Sequence, residues 1–226
     1  MSHTGTEAPA STMTYVSLNS VLERQKVGQM ATSDFHFRSQ WRVLGSVDEV
    51  FRLVSSSEAL ASWWPAAFLD VLEVEPGGTD GLGKVVRLET RGWLPYTLHW
   101  HLRVDERDPP RGFGFRVWGD LEGRGAWSFR SDGAWTIVGF DWRVRVGKPI
   151  VRWFSWLLRP LFASNYRWAM GRGERSLRLA LARSHATDAA QRLALPPPPG
   201  PASFPPAAFM ASVLVAVLPL LIRRSK

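Results

Sequence analysis

The chain contains no cysteine, which excludes disulfides, thiolate metal centres and a cysteine nucleophile. Lysine is nearly as scarce, four residues against 24 arginines, a bias read as genomic base composition rather than mechanism. Residues 1–33 lack the apolar stretch of about 7–15 residues that a secretory signal requires. No histidine with an orienting acid, no carboxylate pair and no nucleophile elbow stands out among the residues expected inside the domain. The sequence therefore names no catalytic constellation, and no cofactor is expected.

What is present is aromatic. Twelve Trp and twelve Phe stand beside only three Tyr, in a chain that is 45% hydrophobic. Its 226 residues suit one domain with appendages. The net charge of +8 is unevenly placed. Residues 34–147 carry 16 acids against 14 bases, whereas 148–184 carry eight bases against Glu174 alone. A basic block of that kind suits an anionic membrane surface or a nucleic-acid backbone, or is simply a solvated helix face; no nucleic-acid partner is expected.

Four regions follow from the pattern. Residues 1–33 are polar and expected to be disordered, with Met30 a second candidate start. From residue 34, Phe35, Phe37, Trp41 and Val43 alternate with polar neighbours, predicting a half-buried strand. Ser46-Val47-Asp48-Glu49 opens a short helix as a capping box, and a second short helix, 57–64, ends at Pro65. Six strands follow near 69–75, 83–90, 96–105, 112–119, 125–130 and 134–146, separated by Gly, Pro and Asp turns. A helix over 149–184, interrupted at Pro160, completes the domain. In it Tyr166, Met170, Gly173, Leu177 and Leu181 form one apolar stripe, with Arg172, Arg175 and Arg183 opposite. The fold class is α+β: seven antiparallel strands curved around a long C-terminal helix, with two short helices.

Residues 185–206 read as a Pro-rich linker in extended geometry. Beyond it, 207–226 reads as a membrane anchor: sixteen uncharged residues, Ala207 to Ile222, then a basic end. As a helix those sixteen span about 24 Å against a hydrocarbon core of about 30 Å, so either a single span or an interfacial segment fits. The expected location is the membrane, with the domain on the cytoplasmic side.

Trp41-Arg42-Val43 followed by Val47-Asp48-Glu49-Val50-Phe51 begins an ordered set of segments. It continues with Ser62-Trp63-Trp64-Pro65, Gly125-Ala126-Trp127-Ser128-Phe129 and Asp141-Trp142-Arg143-Val144. It ends with Asn165-Tyr166-Arg167-Trp168-Ala169-Met170 leading to Gly173-Glu174-Arg175. In this order, over residues 34–184, the chain resembles the START/Bet v1-like (SRPBCC) superfamily, nearest its bacterial polyketide cyclase/dehydrase group. The resemblance implies a helix-grip fold and an apolar small molecule or lipid held between sheet and helix, with a cyclase or dehydratase in the same cavity as the alternative.

The residues expected to line that cavity are Trp41, Trp64, Trp100, Phe115, Trp127, Phe140, Trp142, Asn165, Tyr166 and Met170. Polar groups available for chemistry are Asn165, Tyr166, Arg167 and Glu89. His99 and His101 share a strand face, but Leu98, Trp100, Leu102 and Val104 claim the inner side. The histidines are therefore expected outside, and no metal site is expected. Gly78–Lys84 has the glycine and lysine spacing of a phosphate loop, yet Val85 stands where Ser or Thr is needed. It reads as a hairpin turn.

Overall fold

The computed structural model describes residues 34–146 and 155–203; the segments 1–33 and 207–226 lie outside them. The chain runs β1 (Asp34–Leu44), α1 (Val47–Ser55), α2 (Ser57–Trp63), β2 (Phe68–Glu75), β3 (Val85–Thr90), β4 (Leu98–Asp108), β5 (Gly112–Gly119), β6 (Leu121–Asp132), β7 (Trp135–Val146), α3 (Ser155–His185) and α4 (Ala189–Ala194). The seven strands form one sheet in the order β1-β7-β6-β5-β4-β3-β2, every neighbouring pair antiparallel. This is the expected seven-stranded sheet with a long helix and short ones.

Because β1 and β2 are the two edges, α1 and α2 must carry the chain across the whole width of the sheet. Their starts are fixed locally. Ser46 accepts from Glu49 N–H at 3.3 Å, and Ser56 accepts from Ala59 N–H at 3.2 Å, each satisfying a helix-end donor. Phe51 of α1 then packs edge-on against Phe129 at 5.6 Å, tying the crossing to the middle of the sheet.

Helix α3 lies on the inner face. Met170, Leu177 and Leu181 are buried as the stripe predicted, Leu177 completely. A Cβ on Gly173 would come within 2.4 Å of the Trp64 ring, so the glycine sets how closely helix and ring approach. Two departures from expectation concern this helix. It continues through Pro160 without interruption; proline removes one backbone donor, and the rest of the ladder carries on around that gap. Arg183 is not on a free face, since its guanidinium donates to the carbonyls of Leu195 and Pro196. The segment read as a linker thus begins with α4, capped by Asp188 accepting from Gln191 N–H at 2.8 Å, and is drawn back toward the end of α3.

The Gly78–Lys84 stretch is a turn between β2 and β3, closed by Gly78 N–H to Leu82 C=O at 2.8 Å. His99 is exposed, and His101 stacks on Trp118 at 5.3 Å on the outer face. Among the described residues no helix is long and apolar enough to cross a membrane.

Candidate functional site: a two-lobed aromatic cavity

Buried apolar residues form two clusters, one centred on Trp41, Trp64, Phe51 and Leu177, the other on Leu88, Trp100, Phe115 and Trp142. A cavity occupies the interval between them. Its first lobe, about 200 Å³, is walled by Leu60, Trp63 and Trp64 from α2 and its C-terminal cap, by Val86, Leu88, Trp100, Phe115, Trp127, Phe140 and Trp142 from the sheet, and by Tyr166, Ala169 and Met170 from α3. The second lobe, about 260 Å³, lies toward the ends of β1 and β3, among Phe35, Phe37, Arg91, Tyr96, Leu98, Phe162 and Asn165. Ala67, Thr90, Leu121, Trp142, Tyr166 and Ala169 border both lobes.

The strand alternation produces this lining. On β3, Val86, Leu88 and Thr90 share one parity with Lys84, and all four face the first lobe. On β7, Phe140, Trp142 and Val144 do the same between the two lobes. Cross-strand register then assembles the rings. Trp127 pairs with Phe140 and stacks on it at 4.2 Å, while Phe115 and Trp100 both approach Trp142 to 5.8 Å. Such an array suits a flat or polyunsaturated apolar guest more than water.

Several polar atoms on the wall are paired, whereas Trp63 Nε1, Trp64 Nε1 and Arg91 Nε are buried without a hydrogen-bond partner. Trp100 Nε1 donates to Thr90 Oγ1 at 2.8 Å. The Tyr166 hydroxyl shares a 2.8 Å hydrogen bond with Ser39 Oγ, and its ring stacks on Phe37 at 4.3 Å. Burial pushes the Tyr166 phenol up to about 12; the nearby Asp141 charge adds to this and the Ser39 bond opposes it. Burial alone raises Tyr96 to about 12. Both phenols therefore stay protonated near neutrality. Asn165 Oδ1 accepts from Leu94 N–H at 3.2 Å, latching the β3–β4 loop to α3. At the far end Lys84 Nζ meets Glu73 Oε2 at 2.8 Å, with Ser57 Oγ 3.4 Å from Lys84 and 3.3 Å from Glu73. The hydrogen bond from Lys84 is the main reason Glu73 sits below the ordinary carboxylate range.

Of the ten residues expected here, Trp64, Trp100, Phe115, Trp127, Phe140, Trp142, Tyr166 and Met170 border the first lobe, and Asn165 borders the second. Trp41 does not border the cavity. It is buried behind the wall, 5.6 Å from Trp64 and 5.4 Å from Trp127, because an inward-facing strand residue can end in solid core as well as at a cavity. Two polar candidates also fall outside: Arg167 is exposed, and Glu89 lies 3.9 Å from His99 on the outer side. Sequence reasoning missed Lys84, Thr90, Arg91 and Tyr96. Among the described residues no group of three or more His, Asp or Glu is placed to hold a metal ion.

A seven-stranded antiparallel sheet, a long helix lying against its inner face and an aromatic cavity between them define a helix-grip protein. Residues 34–178 match the model of the family described as polyketide cyclase / dehydrase and lipid transport, and the chain belongs to that family. Among solved structures it is similar to a Thermus thermophilus protein, with 19% identity and a TM-score of 0.53, covering 66% of this chain and 99% of that one. It is equally similar to the Zhui aromatase/cyclase of a Streptomyces species, again with 19% identity and a TM-score of 0.53, covering 68% of this chain and 97% of that one. The di-domain aromatase/cyclase StfQ of the steffimycin biosynthetic pathway shares 14% identity with a TM-score of 0.52, over 72% of this chain and 56% of its own. No protein of curated function matches the chain. At these identities the likeness is one of fold.

Proposed function

We propose that the protein binds an apolar small molecule or lipid in the two-lobed cavity. The observation that carries this reading is the chemistry of the wall, which is aromatic and aliphatic and has neither imidazole nor carboxylate among its described residues. A cavity of that kind holds an apolar body by dispersion and desolvation but offers no ordinary general base to a reacting carbon. The alternative is a cyclase or dehydratase acting in the same space. It is favoured by the family's description and by the Lys84, Ser57 and Glu73 group at the end of the first lobe.

Mass spectrometry of organic extracts from the purified full-length chain separates the two. A co-purifying apolar compound near one per chain is the expected result. An empty protein that converts a poly-β-keto thioester into an aromatic product would replace binding by catalysis.

We further propose that residues 207–226, which lie outside the described residues, attach the protein to a membrane. The support is their uncharged run and basic end, together with exposed Arg167, Arg172 and Arg175 on α3, which suit anionic headgroups. The full-length chain is expected to pellet with membranes and resist extraction by high salt, whereas a chain ending at Ala194 is not. A full-length protein that is soluble and monomeric without detergent refutes the anchor.

A further inference from the structure

Lys84 and Arg91, the cations on the cavity wall among the described residues, are treated differently by the fold. Lys84 in the first lobe is answered by Glu73 at 2.8 Å. Arg91 in the second lobe has no such answer. It follows β3, where its backbone N–H is fixed to Ala67 C=O at 2.9 Å, and its side chain borders the lobe. Its Nε is buried and without a hydrogen-bond partner. Among the described residues no carboxylate borders that lobe. A guanidinium does not shed its proton at any ordinary pH, so the charge stays, and partial burial without a counter-charge is unfavourable.

The polar groups around it are donors as well. The Tyr96 phenol keeps its proton, since burial raises it to about 12. Asn165 has committed its Oδ1 to Leu94 N–H, which leaves the amide nitrogen as its unused donor. Gly92 lies so close to this amide that a Cβ there would come within 2.1 Å of it, so no side chain intervenes. A cation with two neutral donors, beside an apolar cavity and without an acid, is a complement for an oxyanion. Among the described residues the lobe offers one positive charge, which matches a monoanion. The planar guanidinium fork matches a carboxylate in particular.

We propose that Arg91 binds the carboxylate of an amphiphilic ligand, whose apolar body lies along the shared wall of Trp142 and Tyr166 into the first lobe. The proposal rests on the cavity being a ligand site and specifies the class of ligand, an apolar carboxylic acid. Matched fluorescent probes test it on the full-length chain: pyrenebutyrate, and pyrenebutanol, which has the same ring system and chain but no charge. The wild type is expected to prefer the acid by about tenfold or more, as for a charge-assisted contact.

Arg91→Gln should abolish that preference and leave the affinity for the alcohol unchanged. Arg91→Lys should retain part of it, and Arg175→Gln, on the exposed face of α3, all of it. Should Arg91→Gln fail to fold, the wild-type ratio and its reduction in Arg91→Lys decide the matter. Equal affinities in the wild type, or a preference that survives in Arg91→Gln, overturn the carboxylate site while leaving the cavity reading intact. Failure of both probes to bind overturns both.

Discussion

The two faces of the sheet are built on different physics. The outer face is a lattice of ion pairs. Asp141 receives His36 at 2.9 Å, Arg38 at 3.0 Å and Arg143 at 3.2 Å, while Arg116 meets Asp105, Arg103 meets Glu75 and Arg145 meets Glu122. Most of these side chains are well exposed, so each pair contributes at most about 1 kcal/mol and salt weakens it. The inner face has rings in place of charges. Leu88, Trp100, Phe115 and Trp142 are nearly inaccessible, and burying one large apolar side chain contributes about 1.5–3 kcal/mol. The inner face supplies most of the stabilisation, and the outer one presents paired charges to solvent. A sheet divided in this way can leave a hole in its interior, because the ring contacts around the hole are numerous enough to maintain it.

The largest expected effect comes from the inner wall. Trp142→Ala removes a ring that touches Trp100, Phe115 and Phe140 and borders both lobes. It should cost about 3–5 kcal/mol in denaturant titration, at the low end because a cavity already adjoins it. The variant should also accept a bulkier apolar probe than the wild type, since the partition between the lobes is thinned.

Adding volume on the same side should cost less. Gly125 sits on β6 where a Cβ would lie 2.6 Å from Phe115 Cζ and 2.7 Å from Trp142 Cε3. Gly125→Ala should therefore lower stability by about 1–3 kcal/mol through overcrowding, read as a lower melting temperature.

The smallest effect belongs to the outer face. Burial tends to raise the Asp141 pKa, but hydrogen bonds from His36 and Arg38 and the charges of His36 and Arg143 outweigh it, and the carboxyl is held below its ordinary value. With the folded pKa below the unfolded one, its contribution is fully present above the unfolded value and is lost as pH falls through the folded value. Asp141→Asn should cost no more than about 1 kcal/mol at neutral pH, and the difference from wild type should close in acid. A loss at Asp141 exceeding that at Trp142 would invert the comparison between the faces.

Alternation made much of this legible in advance. It placed Trp100, Leu102 and Val104 inward and His99 and His101 outward, and the stripe from Tyr166 to Leu181 placed α3. It did not distinguish solid core from cavity wall, which depends on what the opposite layer leaves unfilled, and Trp41 lies behind the wall for that reason. Lys84 and Thr90 were available from the same rule, since they share parity with Val86 and Leu88; their polarity hid them. Arg91 and Tyr96 belong to the β3–β4 connection, where no periodicity applies. Their position follows from the latch between Leu94 and Asn165, a contact between residues 71 apart in sequence.

The grip of Arg183 on the carbonyls of Leu195 and Pro196 has a mechanical meaning. A pull on the chain beyond Pro196 is delivered first to the last turns of α3, not to any strand. That helix is the cover of the cavity, with Leu181 buried near its loaded end and Tyr166 fastened to Ser39 some four turns away. Tension on the chain beyond Pro196 is therefore applied first to the cavity's cover and reaches the sheet only through that helix, at Arg178 with Arg42 and at Tyr166 with Ser39.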